Sequence, residues 1–177
     1  MSSLGPAPAD LLVANVGTLV SPAGIGAQRG RMLGELVVRH DVEIACADGD
    51  VVHVGPAGSW AHGAHRTLDA GGNAVVPGLV DPHTHVVWGG DRLDDFEAKL
   101  RGDAYEAILA RGGGIRHTMR ATAAADEDAL VAAALPRLAA MRRGGATTVE
   151  CKSGYGGAPE VELRQLRAIR RLADAQA

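Results

Sequence analysis

Two histidines one residue apart, His83 and His85, close the run Pro77-Gly78-Leu79-Val80-Asp81-Pro82-His83-Thr84-His85. If this run is extended, side chains at i and i+2 leave the same side of the strand. Both imidazoles are then available to one cation. Neutral imidazole is a zinc ligand, and the end of a strand is where an α/β barrel delivers such groups to its active-site mouth. A bare His-x-His pair also occurs as an ordinary surface pair, so its setting matters. Pro77 and Gly78 punctuate the entry, and Leu79 and Val80 supply a run to bury. Asp81 has the parity of the histidines. Its carboxylate either braces a ligand imidazole, as metal-bound histidines usually require, or serves as a strand-end cap.

Other residues could bind a ligand near such a site. Arg92 follows the pair by a short loop. Its guanidinium fork suits a carboxylate in two-pronged geometry; the alternative is an exposed loop arginine. Tyr155 follows a second strand-like run on a loop with glycines at 154, 156 and 157, which lets the backbone bend tightly. Its phenol either bonds a ligand or packs on a rim. Tyr105 is a lesser candidate, with core packing as its alternative. Lys152 reads as an ion-pair partner, with Glu150 the nearest choice, and Cys151 as small apolar packing. His62 and His65 read as loop residues rather than a metal pair. Gly112-Gly113-Gly114 is not a phosphate loop, because it lacks the Lys-Ser/Thr ending.

Composition narrows the function classes. A net charge of -3 with scattered arginines leaves no basic footprint for nucleic acid. No apolar run approaches a membrane span. Residues 1–10 lack the basic and apolar regions of a signal peptide, which points to the cytoplasm. Cys46 and Cys151 lie far apart and read as reduced thiols. With one Phe, two Trp and two Tyr in 177 residues, the core must be aliphatic; Phe96 is expected in it.

Residues 1–76 read as a small antiparallel β segment. Val42, Ile44 and Cys46 alternate with polar or small residues, Asp48-Gly49 marks a tight turn, and 51–54 return as a hairpin. A strand over 11–16, a Gly-rich loop over 21–31 and a strand over 66–69 complete it. The pattern changes at residue 77. A strand over 79–81 leads to helices over 94–101 and 103–110. A longer helix is capped by Asp126, interrupted by Pro136, which should kink it or free a carbonyl, and ended by Gly144-Gly145. A strand over 147–152 follows, then a helix from Pro159 at its first position. Strand, helix, strand, helix opens a parallel α/β unit.

The run 75–85, then Gly89-Gly90-Asp91-Arg92, Phe96-Glu97, Tyr105, Gly112-Gly113-Gly114-Ile115 and Thr147-Thr148-Val149-Glu150-Cys151-Lys152-Ser153-Gly154-Tyr155-Gly156, resembles the imidazolonepropionase family of the amidohydrolase superfamily. The resemblance implies an α/β fold, a (β/α)8 TIM-type barrel with a small β-sandwich. Residues 1–76 would be part of the sandwich and 77–177 the first βα units of a truncated barrel, since a full barrel takes about 250 residues. It implies one metal ion, zinc or iron, with His83 and His85 among its ligands. It places Arg92, Tyr155 and Tyr105 on the substrate, 4-imidazolone-5-propanoate, whose ring amide is hydrolysed to N-formimidoyl-L-glutamate in histidine degradation. The remaining ligands and the acid/base groups are expected downstream of residue 177, so no catalytic residue is expected within this chain. The family leaves room for a homodimer at full length. Two other readings compete: another amidohydrolase such as a guanine-type deaminase, and an inactive truncated product.

Overall fold

The apolar run that starts the chain extends further than its sequence pattern. In the computed structural model, which describes residues 7–24 and 26–176, strand β1 spans Ala9–Pro22. It pairs antiparallel with β2 (Leu36–Ala47), from Leu11 opposite Cys46 to Pro22 opposite Leu36. The register shifts between Val13 and Val16. Asn15 takes a φ of 55° there and donates its side-chain amide to Asp69 at 3.0 Å, which holds a β-bulge. Asp48 and Gly49, at φ 53° and 85°, close the expected hairpin to β3 (Asp50–Pro56) with the twist that suits flanking strands.

The antiparallel expectation for this segment needs correction. β4 (Ala64–Asp69) and β5 (Ala74–Val75) both run parallel to β1, and the sheet order is β3-β2-β1-β4 with β5 also on β1. Residues 57–63 carry the chain past β2 to the free side of β1, so β4 enters in the same direction as β1. Val16, Val42 and Ile44 form the buried centre, with Val13, Leu19, Cys46 and Val54 against it. The Gly-rich stretch expected over 21–31 begins inside β1 and leads into a single 3-10 turn, Gly30–Gly34. Part of the reading made for residues 1–10 lies outside the described residues.

A second compact unit starts at Gly78. Its two strands, β6 (Leu79–Thr84) and β7 (Ala146–Cys151), are parallel, from Leu79 opposite Ala146 to Thr84 opposite Cys151. Four helices occupy the crossover: α1 (Leu93–Leu100), α2 (Tyr105–Ala110), α3 (Ile115–Ala124) and α4 (Glu127–Arg143). Helix α5 (Pro159–Gln176) follows β7. The parallel βα order is the α/β class expected. Asp126 caps α4 by accepting from the Ala129 amide at 2.8 Å, and Gly144 ends it. Pro136 sits inside α4 without terminating it.

One helix goes beyond the sequence reading, and one expectation fails. The sequence pattern shows no helix over 115–124, because the face α3 buries is Thr118 and Thr122 rather than large aliphatics. Phe96 is 60% exposed and not in the core; short α1 buries only Ala98. The core proper joins Val86 and Val87 to Leu130, Ala134, Ala168 and Leu172 from α4 and α5.

Leu130 is fully buried there. Leu130→Ala is expected to lower stability by about 2–5 kcal/mol, and Asp126→Ala by about 1 kcal/mol, both read from urea unfolding midpoints at pH 7.

Candidate metal centre

Strand β6 ends with Thr84 locked onto β7. The Thr84 hydroxyl donates to the Glu150 carbonyl at 2.7 Å, and the Lys152 amide donates to the Thr84 carbonyl at 2.8 Å. His83 and His85 flank Thr84, where the pairing with β7 is irregular between Asp81 and Thr84, and their rings meet. Their ring centroids are 5.8 Å apart at 69°. Two imidazoles bonding one zinc at about 2.0–2.1 Å would hold their centroids about 5–6 Å apart, so the pair fits a shared cation. Nδ1 of His85 is buried and has no hydrogen-bond partner. A buried polar atom in that state needs a partner, and a cation would supply one. The same described residues contain no cluster of three or more His, Cys, Asp or Glu side chains that could hold a metal. The pair is therefore a partial ligand set.

Asp81 takes the cap reading: its Oδ1 accepts from the His83 backbone amide at 3.3 Å, not from an imidazole. Lys152 pairs with Glu150 at 2.6 Å as expected. That bond, followed by smaller contributions that include the nearby His83, holds the Glu150 carboxyl below its ordinary value.

The loop over 153–157 covers His85. Tyr155 lies edge-on to the His85 ring with centroids 5.3 Å apart. Gly154 leaves no space for a side chain, since a Cβ there would stand 2.7 Å from His85 Cε1. Glu162, in the first turn of α5, gathers this loop. Its Oε1 accepts from the Gly156 amide at 2.6 Å and the Gly157 amide at 3.2 Å. Burial alone would raise its pKa, but these donors outweigh it and hold the group below its ordinary 4.5.

Arg92 and Tyr105 stand elsewhere. Arg92 precedes α1 and donates its Nε–H to the buried Thr118 hydroxyl at 2.9 Å. It lines a cavity of about 880 Å³ together with Asp95, Arg101, His117 and Arg120, and neither His83, His85 nor Tyr155 lines that cavity. Tyr105 is 53% exposed, which removes its core reading, and its hydroxyl lies near Gly114. The glycine loop is pinned by the Asp95 carboxylate, which accepts from the Gly114 amide at 2.7 Å. The structure thus joins His83, His85 and Tyr155, and seats Arg92 in a separate polar concavity of the same unit.

Several residues that shape the site carry no signal in the sequence. Arg137 donates to the carbonyls of Val86 and Trp88 at 3.0 and 2.9 Å and stacks 3.5 Å over the Trp88 ring. Gln165, fully buried, donates to the Val87 carbonyl at 2.8 Å. Thr122 accepts from the Gly89 amide at 3.0 Å. Each is an ordinary polar residue on a helix, and only the packed structure turns it onto the segment after His85.

No family model matches the chain. Over 163 residues it is 55% identical to an imidazolonepropionase from Deinococcus radiodurans, an alignment covering 92% of this chain and 40% of the relative. The chain is similar to imidazolonepropionases. A second, from Symbiobacterium thermophilum, is 46% identical over 171 residues, covering 94% of this chain and 40% of the relative. The chain thus spans about 40% of the length of these imidazolonepropionases. Among solved structures, an adenosine deaminase from Xanthomonas campestris with bound zinc superposes with a TM-score of 0.46 at 20% identity, covering 94% of this chain and 33% of that one. The family resemblance read from the motifs stands on the first two. No helix among the described residues is long and apolar enough to cross a membrane.

Two outcomes follow from the loop geometry. Glu162 has a lowered folded pKa, so its contribution is complete above its ordinary value of 4.5 and is lost as pH falls through the lower folded value. The Gly156 and Gly157 amide resonances should titrate together with a midpoint below 4.5, read by 1H–15N NMR. Gly154→Ala should push the His85 ring off Tyr155 and cost about 1–3 kcal/mol, read as lost ring-to-ring NOEs and a lower unfolding midpoint.

Proposed function

We propose that the chain carries part of the active site of an imidazolonepropionase, a cytoplasmic, metal-dependent hydrolase of histidine degradation. The observation that supports this best is the His83–His85 pair, at a spacing suited to one cation and faced by Tyr155, in a chain 55% identical to a relative bearing that name. The reaction is hydrolysis of the ring amide of 4-imidazolone-5-propanoate to N-formimidoyl-L-glutamate.

His83 and His85 would hold the zinc or iron ion. When bound, such an ion lowers the pKa of water toward about 7 and polarises a carbonyl. The rest of the work falls to side chains. Tyr155, fixed beside His85, offers a phenol to the substrate ring. The family resemblance assigns the propanoate carboxylate to Arg92; its Nε is committed to Thr118 and it lines a separate cavity, so that pairing requires the acid tail to reach away from the histidines into that cavity. Tyr105 is the secondary contact. Two imidazoles fall short of the three protein ligands usual for catalytic zinc, so the 177-residue chain alone should bind zinc weakly and turn over no substrate.

Zinc titration of the purified chain, followed through the His83 and His85 ring resonances, tests the metal assignment. His83→Ala and His85→Ala should each cut affinity by about tenfold or more. Unchanged zinc binding in both variants would refute it. Incubation with 4-imidazolone-5-propanoate and with guanine tests the rest: no turnover of either is expected from the chain alone, and guanine deamination would replace the imidazolonepropionase reading by the deaminase one.

A further inference from the structure

The loop that carries Tyr155 is costly to order. Three of the residues at 153–157 are glycine, and glycine loses more backbone freedom on ordering than any other residue. Yet the loop is held close enough that Gly154 touches the His85 ring and the Tyr155 ring lies 5.3 Å from it. Something must offset that entropy, and no large apolar side chain occurs in Ser153-Gly154-Tyr155-Gly156-Gly157 other than Tyr155 itself.

One group gathers the loop. The Glu162 carboxylate accepts from the amides of Gly156 and Gly157. Both donors follow Tyr155 directly and converge on a single anion. The Glu162 backbone amide is bonded in turn to the Ala158 carbonyl, so the carboxylate projects from a formed helical turn. Hydrogen bonds to an ionised acceptor are about twice as strong as neutral ones, and the start of a helix favours negative charge. A glutamine at position 162 would keep an acceptor oxygen for the two amides but lose the charge that strengthens those bonds.

We propose that Glu162 is the positioning residue of this site, the anion that clamps the loop at Gly156 and Gly157, directly after Tyr155, and thereby holds Tyr155 against His85. This rests on the reading of Tyr155 as a substrate contact. Glu162 itself acts only through the loop, and its neighbour Gln165, three residues on, serves a separate purpose at the Val87 carbonyl.

The test uses the 177-residue chain with Glu162→Ala, Glu162→Gln and Glu162→Asp. The readouts are His85–Tyr155 ring NOEs and amide exchange of Gly156 and Gly157, with Leu130 and Leu172 as reporters of the α4–α5 core. In Glu162→Ala the NOEs should vanish and the glycine amides should exchange about tenfold faster or more, while the core reporters keep their protection. Glu162→Gln should fall between Glu162→Ala and the parent chain, and Glu162→Asp, one methylene short, should not restore the NOEs. Exchange and NOEs in Glu162→Ala within about twofold of the parent would overturn the proposal. So would loss of core protection in both Glu162→Ala and Glu162→Gln, since Glu162 would then support α5 generally and not the loop. Zinc titration of the same samples separates the readings. A parent chain whose histidines ignore zinc removes the metal assignment and leaves the loop result standing.

Discussion

The register of β6 against β7 is the constraint on which the candidate site depends. Thr84 is bonded through its side chain to the Glu150 carbonyl and through its own carbonyl to the Lys152 amide. With Thr84 committed to the neighbouring strand, His83 and His85 flank it with their rings 5.8 Å apart. The same lock brings the end of β7 level with the histidines, so the loop leaving β7 must pass over His85.

Beyond Thr84 the chain leaves the ladder, and its backbone groups need other partners. The helices supply them. Arg137 of α4 takes the Val86 and Trp88 carbonyls, Gln165 of α5 takes the Val87 carbonyl, and Thr122 of α3 takes the Gly89 amide. Val86 and Val87 meanwhile fill the core against Leu130, Ala134 and Leu172. The segment after the histidines is thereby held by apolar packing through its side chains and by polar side chains through its backbone. Gly89 lies so close to α3 that a Cβ would meet the Ala121 carbonyl oxygen at 2.6 Å, which explains a glycine where the sequence offers no turn. Arg92 is anchored by the same helix through Thr118. α3, the helix with no apolar pattern, therefore positions the residue proposed to meet the substrate's acid tail.

Much of this was legible in advance. The hairpin at Asp48-Gly49, the cap at Asp126, the helix starting at Pro159 and the parallel order of the second unit all rest on local rules: left-handed turn residues, side-chain capping, fixed proline φ and hydrophobic period. Features set by non-local pairing were not legible. Whether β4 joins β1 parallel or antiparallel depends on which side of the sheet the 57–63 connection takes, and no residue in it encodes that choice. Phe96 looked like core because it is large and apolar, but α1 has one buried position and Ala98 occupies it. For Asp81 the sequence left a brace for an imidazole and a strand-end cap both open, and its short side chain finds the His83 amide, the cap.

By itself the sequence determined the chemistry on offer: two imidazoles at strand spacing, a phenol on a glycine loop, an arginine just downstream, and the motifs shared with imidazolonepropionases. Those are matters of residue type and short-range spacing, which the chain carries wherever it folds. Only the tertiary structure decided which of these groups meet. Tyr155 lies seventy residues from His85 in sequence and reaches it because two parallel strands share a register and one carboxylate, Glu162, draws its loop in. Arg92, seven residues from His85, lines a different cavity because Thr118 holds it there. Proximity along the chain is a weaker constraint than hydrogen bonds between packed elements.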